Sequence, residues 1–175
     1  MLLRQIGITP DQVVAPDIDE TPSRDELPRV YAVRMAKGKA AVVRSEEHLV
    51  LAADTVVSVG RRILPKAESA ADVRACLSLL SGRRHRVMTA IVLGSPDGQL
   101  IDRLVESVVT FNRLTNEQIE RYVALGEGQG KAGGYASNGY AASFVRALSG
   151  SYSGVVGLPL FETAQLLRGH GWPVP

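Results

Sequence analysis

The stretch LVLAADTVVSVG, residues 49–60, is a run of strand-forming residues closed by a glycine, with an aspartate and a threonine in its middle. Its β-branched content predicts a strand over residues 49–59, a turn at Gly60 and Arg61, and a short return strand from Arg62 to Pro65. The apolar start LVLAA terminates in Asp54, which puts a carboxylate at the kind of strand end where open α/β sheets bind ligands. A plainer reading has Asp54 facing solvent at a bulge or accepting nearby backbone N–H groups, and the strand alone weighs the two evenly.

Upstream, PDIDETPSRDEL is polar and proline-bracketed, so it reads as a loop, and Pro28 opens a helix through about residue 44. On that helix Ala32, Met35, Ala36, Lys39 and Val43 share one face. Downstream, Ser69 with Asp72 caps a helix that ends at Gly82. A long hairpin follows, from His85 to Gly94 and back through Leu100 to Asn112. Thr115 with Gln118 caps another helix, a strand is expected from Ala141 to Leu148, and Pro159 opens a last helix that closes near Gly169. This alternation predicts an α/β fold around a sheet of mixed direction, and with no repeat or linker it predicts a single domain.

The chain has 175 residues, 45% hydrophobic and 22% charged, which is ordinary for one globular domain. Twenty Lys+Arg against 18 Asp+Glu leave a net charge of +2, so charge gives no support to nucleic-acid binding. The runs Arg83-Arg84-His85-Arg86 and Arg61-Arg62 read as solvated loops, since 5% aromatic content offers them no stacking platform. Cys76 is the single cysteine, which rules out an intrachain disulfide, fits a reducing compartment and reads as a core residue. No apolar stretch is long enough to span a membrane and MLLRQIG does not read as a secretory signal, so no membrane partner and a cytoplasmic location are expected.

Few residues offer chemistry. Asp17, Asp19 and Glu20 lie in the loop before the first long helix, and one of them could join Asp54 around a hard cation such as Mg²⁺ or Mn²⁺; alone, PDIDE reads as a solvated turn. Lys39 either snorkels out of the core or reaches into a site, and Lys66 is an ambiguous phosphate contact. GEGQGKAGG fails as a phosphate loop, because its glycine spacing is wrong and Lys131 is followed by Ala132. His85 and His48 have no partner at a recognisable spacing, and Ser153 is not in a nucleophile elbow.

PDIDET, the lysine in RMAKGKA, AADTVV, LPK, LSGRRHRVMT, KAGGY and SYSGVVGLPL follow one another in an order and spacing that resembles the Maf family of nucleoside triphosphate pyrophosphatases, from the first residues to about Gly171. The resemblance implies an elongated, two-lobed α/β fold with a central mixed sheet, related to the inosine triphosphate pyrophosphatases, and a homodimer. It implies cleavage of the α–β phosphoanhydride of a nucleoside triphosphate to the monophosphate and pyrophosphate, aided by Mg²⁺ or Mn²⁺. Asp54 and Glu20 would be the catalytic and metal-binding carboxylates, with Thr55 beside Asp54 and with Lys39 and Lys66 on the triphosphate. KAGGYASNG would read the base, and its tyrosine pattern, with Tyr135 and Asn138, points to dTTP and UTP.

The chain departs from the family pattern in several places. Members open with a strand and a Ser-x-Ser-Pro-Arg-Arg loop, whereas this sequence begins at MLLRQIGI, so it is expected to be an N-terminally truncated domain or one whose start codon is assigned too far downstream. Pro65 and Ala67 flank Lys66 where Gly and Pro are usual, Asn138 stands for Gln, and Gly154 for Asn. A rival reading is a non-catalytic nucleotide-binding or regulatory protein linked to cell division, and a third is an α/β domain whose site has decayed.

Overall fold

The computed structural model describes residues 2–174. Five strands form one sheet in the order β2-β1-β3-β4-β5, where β1 is Val50–Val59, β2 Arg62–Leu64, β3 Arg84–Gly94, β4 Leu100–Phe111 and β5 Val145–Ser149. Among the described residues five α-helices accompany them: α1 Pro28–Val42, α2 Ala70–Leu80, α3 Asn116–Leu125, α4 Tyr152–Val156 and α5 Leu160–Gly169. The α/β architecture is the expected one. Its sheet, however, is antiparallel at every pairing instead of mixed. The α2 crossover joins β2 to β3, which run the same way, but β1 lies between them, so no parallel neighbours meet.

Both faces of the sheet are covered, which explains why β3, at its centre, is buried almost throughout. On one face Ala32, Ala36 and Ala40 of α1 pack on Ala52, Val56, Met88, Ala90 and Val92, and the small alanines let the helix lie close. On the other, Leu77 and Leu80 of α2 and Ile119 and Tyr122 of α3 enclose Val57, Val87, Val109 and Phe111. A third cluster sets Leu166 and Leu167 of α5 against Ile91 and Leu93. Cys76 is buried, as its place in the helical pattern implied.

Local chemistry ends the helices where the sequence indicated. Ser69 and Asp72 form a reciprocal capping box at the start of α2, as Thr115 and Gln118 do for α3. Ser69→Ala is expected to lower unfolding free energy by about 1 kcal/mol in a urea titration, because one amide of the first turn loses its acceptor. An unchanged midpoint would contradict this.

Three expectations need correction. Asp54 lies inside β1, opposite Ala90, and not at a strand end. The strand expected from Ala141 begins only at Val145, since Tyr140–Phe144 wind into a 3-10 turn that buries Ala141 and Phe144 in the core. The basic run is not a solvated loop: it enters β3, whose two-residue period exposes Arg84 and Arg86 and drives His85 inward to 2% exposure. The short helix α4, capped by Ser151, had no expectation attached to it.

Candidate active site

β2 pairs only with Val57–Val59 of β1, so the earlier part of β1 has no strand on that side. Around this free edge opens a cleft of about 210 Å³, lined among others by Asp54, Thr55, Lys66, Lys131, Tyr135 and Asn138. The two-residue strand period turns Asp54 and Thr55 to opposite faces of the sheet. At an edge, both faces can border one opening.

Asp54 points to the α1 side and meets Lys39, whose Nζ is 2.5 Å from Oδ1. The same ammonium lies 3.0 Å from Glu20 Oε1, and Glu20 Oε2 is 2.5 Å from Lys66 Nζ. Asp54, Lys39, Glu20 and Lys66 thus form a chain of alternating charge drawn from β1, α1, a loop and the second residue past β2. The loop is held by α1 itself: Tyr31 donates its hydroxyl to the Glu20 carbonyl at 2.6 Å, and Arg34 donates to the Thr21 carbonyl at 3.0 Å. Arg34 also grips both oxygens of Glu26, at 2.8 and 2.7 Å, which fixes the approach to the helix.

The glycine-rich segment supplies the opposite wall. Lys66 bridges to Ala132, and Ala67 exchanges backbone hydrogen bonds with Gly130 and Lys131. At Gly133, φ is +68° and a Cβ would stand 2.8 Å from Val57 Cγ1, so only glycine lets the backbone lie this close to β1. The segment failed as a phosphate loop in the sequence, yet its close packing carries Tyr135 and Asn138 to the cleft beside Lys66.

The charges do not share one environment. Burial raises the Asp54 carboxyl above its ordinary pKa, and the hydrogen bond from Lys39 offsets this only in part. For Glu20 burial acts in the same direction, but hydrogen bonds from Lys66 and Lys39 outweigh it and hold the carboxyl below its usual range. Burial of Lys39 disfavours its charge, yet Asp54 and Glu20 together raise its pKa. The two carboxylates are therefore shifted in opposite directions, Asp54 upward by burial and Glu20 downward by its two lysine partners.

On the other face, Thr89 donates to the Gly154 carbonyl at 2.7 Å, which leaves Thr55 to donate to Thr89 Oγ1 at 2.8 Å and fixes its rotamer. Tyr135 meets His85 Nε2 at 2.7 Å, while the exposed Asn138 amide makes no hydrogen bond within the described residues. Asp54, Thr55, Lys66, Tyr135 and Asn138 line the cleft, and Lys39 and Glu20 reach it through the ion-pair chain. His85, Lys131 and the anchors Tyr31 and Arg34 escaped the sequence reading. His85 has no partner nearby in sequence, since its partner is 50 residues away; the inward parity it shares with Val87 is the available signal.

Asp54 and Glu20 present hard oxygen donors that converge on one point, now filled by the Lys39 ammonium. Mg²⁺ and Mn²⁺ are commonly bound by one or two carboxylates and completed by phosphate oxygens and water, so this donor set fits such an ion. No group of three or more His, Cys, Asp or Glu gathers among the described residues, nor is any helix among them long and apolar enough to cross a membrane.

Comparison with known proteins gives concordant relatives. A protein of Gluconobacter oxydans (strain 621H), named dTTP/UTP pyrophosphatase, is 61% identical over 97% of this chain and 81% of its own length. One of Caulobacter vibrioides (strain ATCC 19089 / CIP 103742 / CB 15) with the same name is 57% identical over 98% of this chain and 90% of its own. A third, of Granulibacter bethesdensis (strain ATCC BAA-1260 / CGDNIH1) and also of that name, is 56% identical over 98% and 88%. The family model described as Maf-like protein matches residues 1–170. With a cleft built from the motifs that carry the resemblance and a family match over nearly its whole length, the chain belongs to the Maf-like protein family.

Proposed function

We propose that the chain is a nucleoside triphosphate pyrophosphatase that hydrolyses the α–β phosphoanhydride of dTTP and UTP, releasing the monophosphate and pyrophosphate. The observation that carries this reading is the Asp54–Lys39–Glu20–Lys66 chain at the mouth of a cleft, on a protein whose relatives at 56% and 61% identity are named dTTP/UTP pyrophosphatase.

In the proposed reaction a water oxygen bonds to the α-phosphorus, the bond to the bridging oxygen breaks, and pyrophosphate leaves with the electron pair. Asp54 takes the proton of the attacking water. Lys39 holds the carboxylate in position for this transfer. Lys39 and Lys66 then transfer their contacts from carboxylates to phosphate oxygens, where negative charge grows in the transition state. Asp54 and Glu20 would hold Mg²⁺ or Mn²⁺, which supplies charge neutralisation on the triphosphate. Thr55 borders the reacting atoms, and Tyr135 and Asn138 face the base.

Lys66→Gln is expected to raise KM for UTP about tenfold, because it removes a charged contact of roughly 1.5 kcal/mol while the backbone bridge to Ala132 remains. An unaltered KM would remove Lys66 from the substrate site. The activity itself is tested by incubating the protein with dTTP, UTP, ATP and GTP in the presence of Mg²⁺ or Mn²⁺ and measuring pyrophosphate. Release from dTTP and UTP is expected; nucleotide-induced thermal stabilisation without release would favour a binding protein instead.

A further inference from the structure

His85 takes no part in the ion-pair chain, yet it is 2% exposed and its Nε2 lies 2.7 Å from the Tyr135 hydroxyl. Its other ring nitrogen, Nδ1, is buried with no hydrogen-bond partner. A buried N–H without an acceptor is rarer and more costly than a bare lone pair, so the ring proton belongs on Nε2 and Nδ1 stays unprotonated. His85 then donates to the Tyr135 oxygen. That hydroxyl has no other hydrogen bond among the described residues, and its own proton remains to be given away.

The ring geometry holds this arrangement in place. Phe111 meets His85 edge-on at 5.0 Å between centroids and Tyr135 at 4.8 Å, so neither polar ring is free to turn over without disturbing a buried aromatic. Tyr135 packs in one buried cluster with Val57, Val87 and Val155, and all four line the cleft, as do the cations Lys66 and Lys131. A neutral donor among apolar walls suits a neutral acceptor on a flat ring better than it suits a phosphate. Burial keeps the pair neutral, holding His85 down at about 4 and the Tyr135 phenol above its ordinary value.

We infer that His85 is a positioning residue that, by donating to the Tyr135 oxygen, directs the Tyr135 O–H into the cleft as the donor that reads the 4-carbonyl of uracil or thymine. The inference rests on the proposed pyrophosphatase activity and names how its base is selected. Cytosine carries an amino group at that position, which is itself a donor. Two donors facing each other in a closed site leave both unsatisfied, and this is how such sites reject an otherwise similar ligand. The 2-carbonyl is common to both rings and cannot separate them.

The test measures kcat/KM for UTP and CTP in the parent protein, in Tyr135→Phe and in His85→Phe. The parent is expected to favour UTP, and each variant to lower the UTP/CTP ratio about tenfold. The double variant is expected to lower it no further than Tyr135→Phe alone, because the two residues act as one unit. A purely structural role for His85 would depress both substrates alike and leave the ratio unchanged, which would overturn the inference. Should the variants fail to fold, the parent alone decides: the triphosphate of 2-pyrimidinone riboside, which lacks the 4-oxygen, is expected to react about tenfold more slowly than UTP, and equal rates would overturn the proposal. A parent that releases no pyrophosphate from UTP defeats the pyrophosphatase reading itself, and that result is distinct from release with an unchanged ratio.

Discussion

Replacing Asp54 by Asn is expected to lower kcat for pyrophosphate release about 10³-fold while the protein stays folded. The loss follows from removing the one carboxylate that, among the described residues, lines the cleft, and general-base contributions are typically of this size. The fold should persist because Asn matches Asp in shape and Lys39 keeps its other partner, Glu20, at 3.0 Å. Indeed, a carboxylate whose pKa is raised in the native state opposes folding at neutral pH, so removing its charge should leave the melting temperature unchanged or higher. Paired kcat and thermal-melt measurements check both halves. A variant within tenfold of the parent rate would show that Asp54 is not the base, and a collapsed fold would show that its charge is structural.

The second large effect is on stability. His85 has a pKa of about 4 in the folded protein against an ordinary value of 6.5, because burial penalises its charged form. Its folded pKa is depressed, so the associated stability is present above about 6.5 and is lost as pH falls through 4. Over that window the unfolded chain gains a proton that the native state refuses. The separation corresponds to about 3 kcal/mol of unfolding free energy. His85→Phe retains an edge-on aromatic and cannot titrate, so its stability should fall less between pH 7 and pH 4 than the parent's by about that amount, as read from urea titrations at both pH values. Parallel curves for the two proteins would contradict the burial of a neutral imidazole.

What could be read from the sequence was what depends on local pattern. The strand through Asp54, the long hairpin, the two capping boxes and the proline-opened helices α1 and α5 all follow from residue types at short spacing. The carboxylates and lysines could be singled out as well, since a charge set into an apolar run or onto a core-facing helix position is locally conspicuous. Their convergence could not: Glu20, Lys39, Asp54 and Lys66 meet only after α1 folds over one face of β1 and β2 ends short of Asp54. The antiparallel sheet escaped for a similar reason, because which strand lies between β2 and β3 is a long-range fact. The role of His85 is not visible locally because its partner comes from a different element, and only its parity on the strand marks it as inward-facing. The 3-10 turn at Tyr140–Phe144 was lost because an apolar run short enough for a strand can equally be a turn buried by its own aromatics.

The central claim is that the ion-pair chain at the free edge of β1 cleaves the α–β bond of a pyrimidine nucleoside triphosphate. Phosphorus-31 NMR of UTP incubated with the protein and Mg²⁺ tests it most directly, since each phosphate product has its own resonance. UMP and pyrophosphate are expected to appear in equal amounts, and about 10³-fold more slowly with Asp54→Asn. Appearance of UDP and orthophosphate, or the same products at the same rate from the variant, would contradict it.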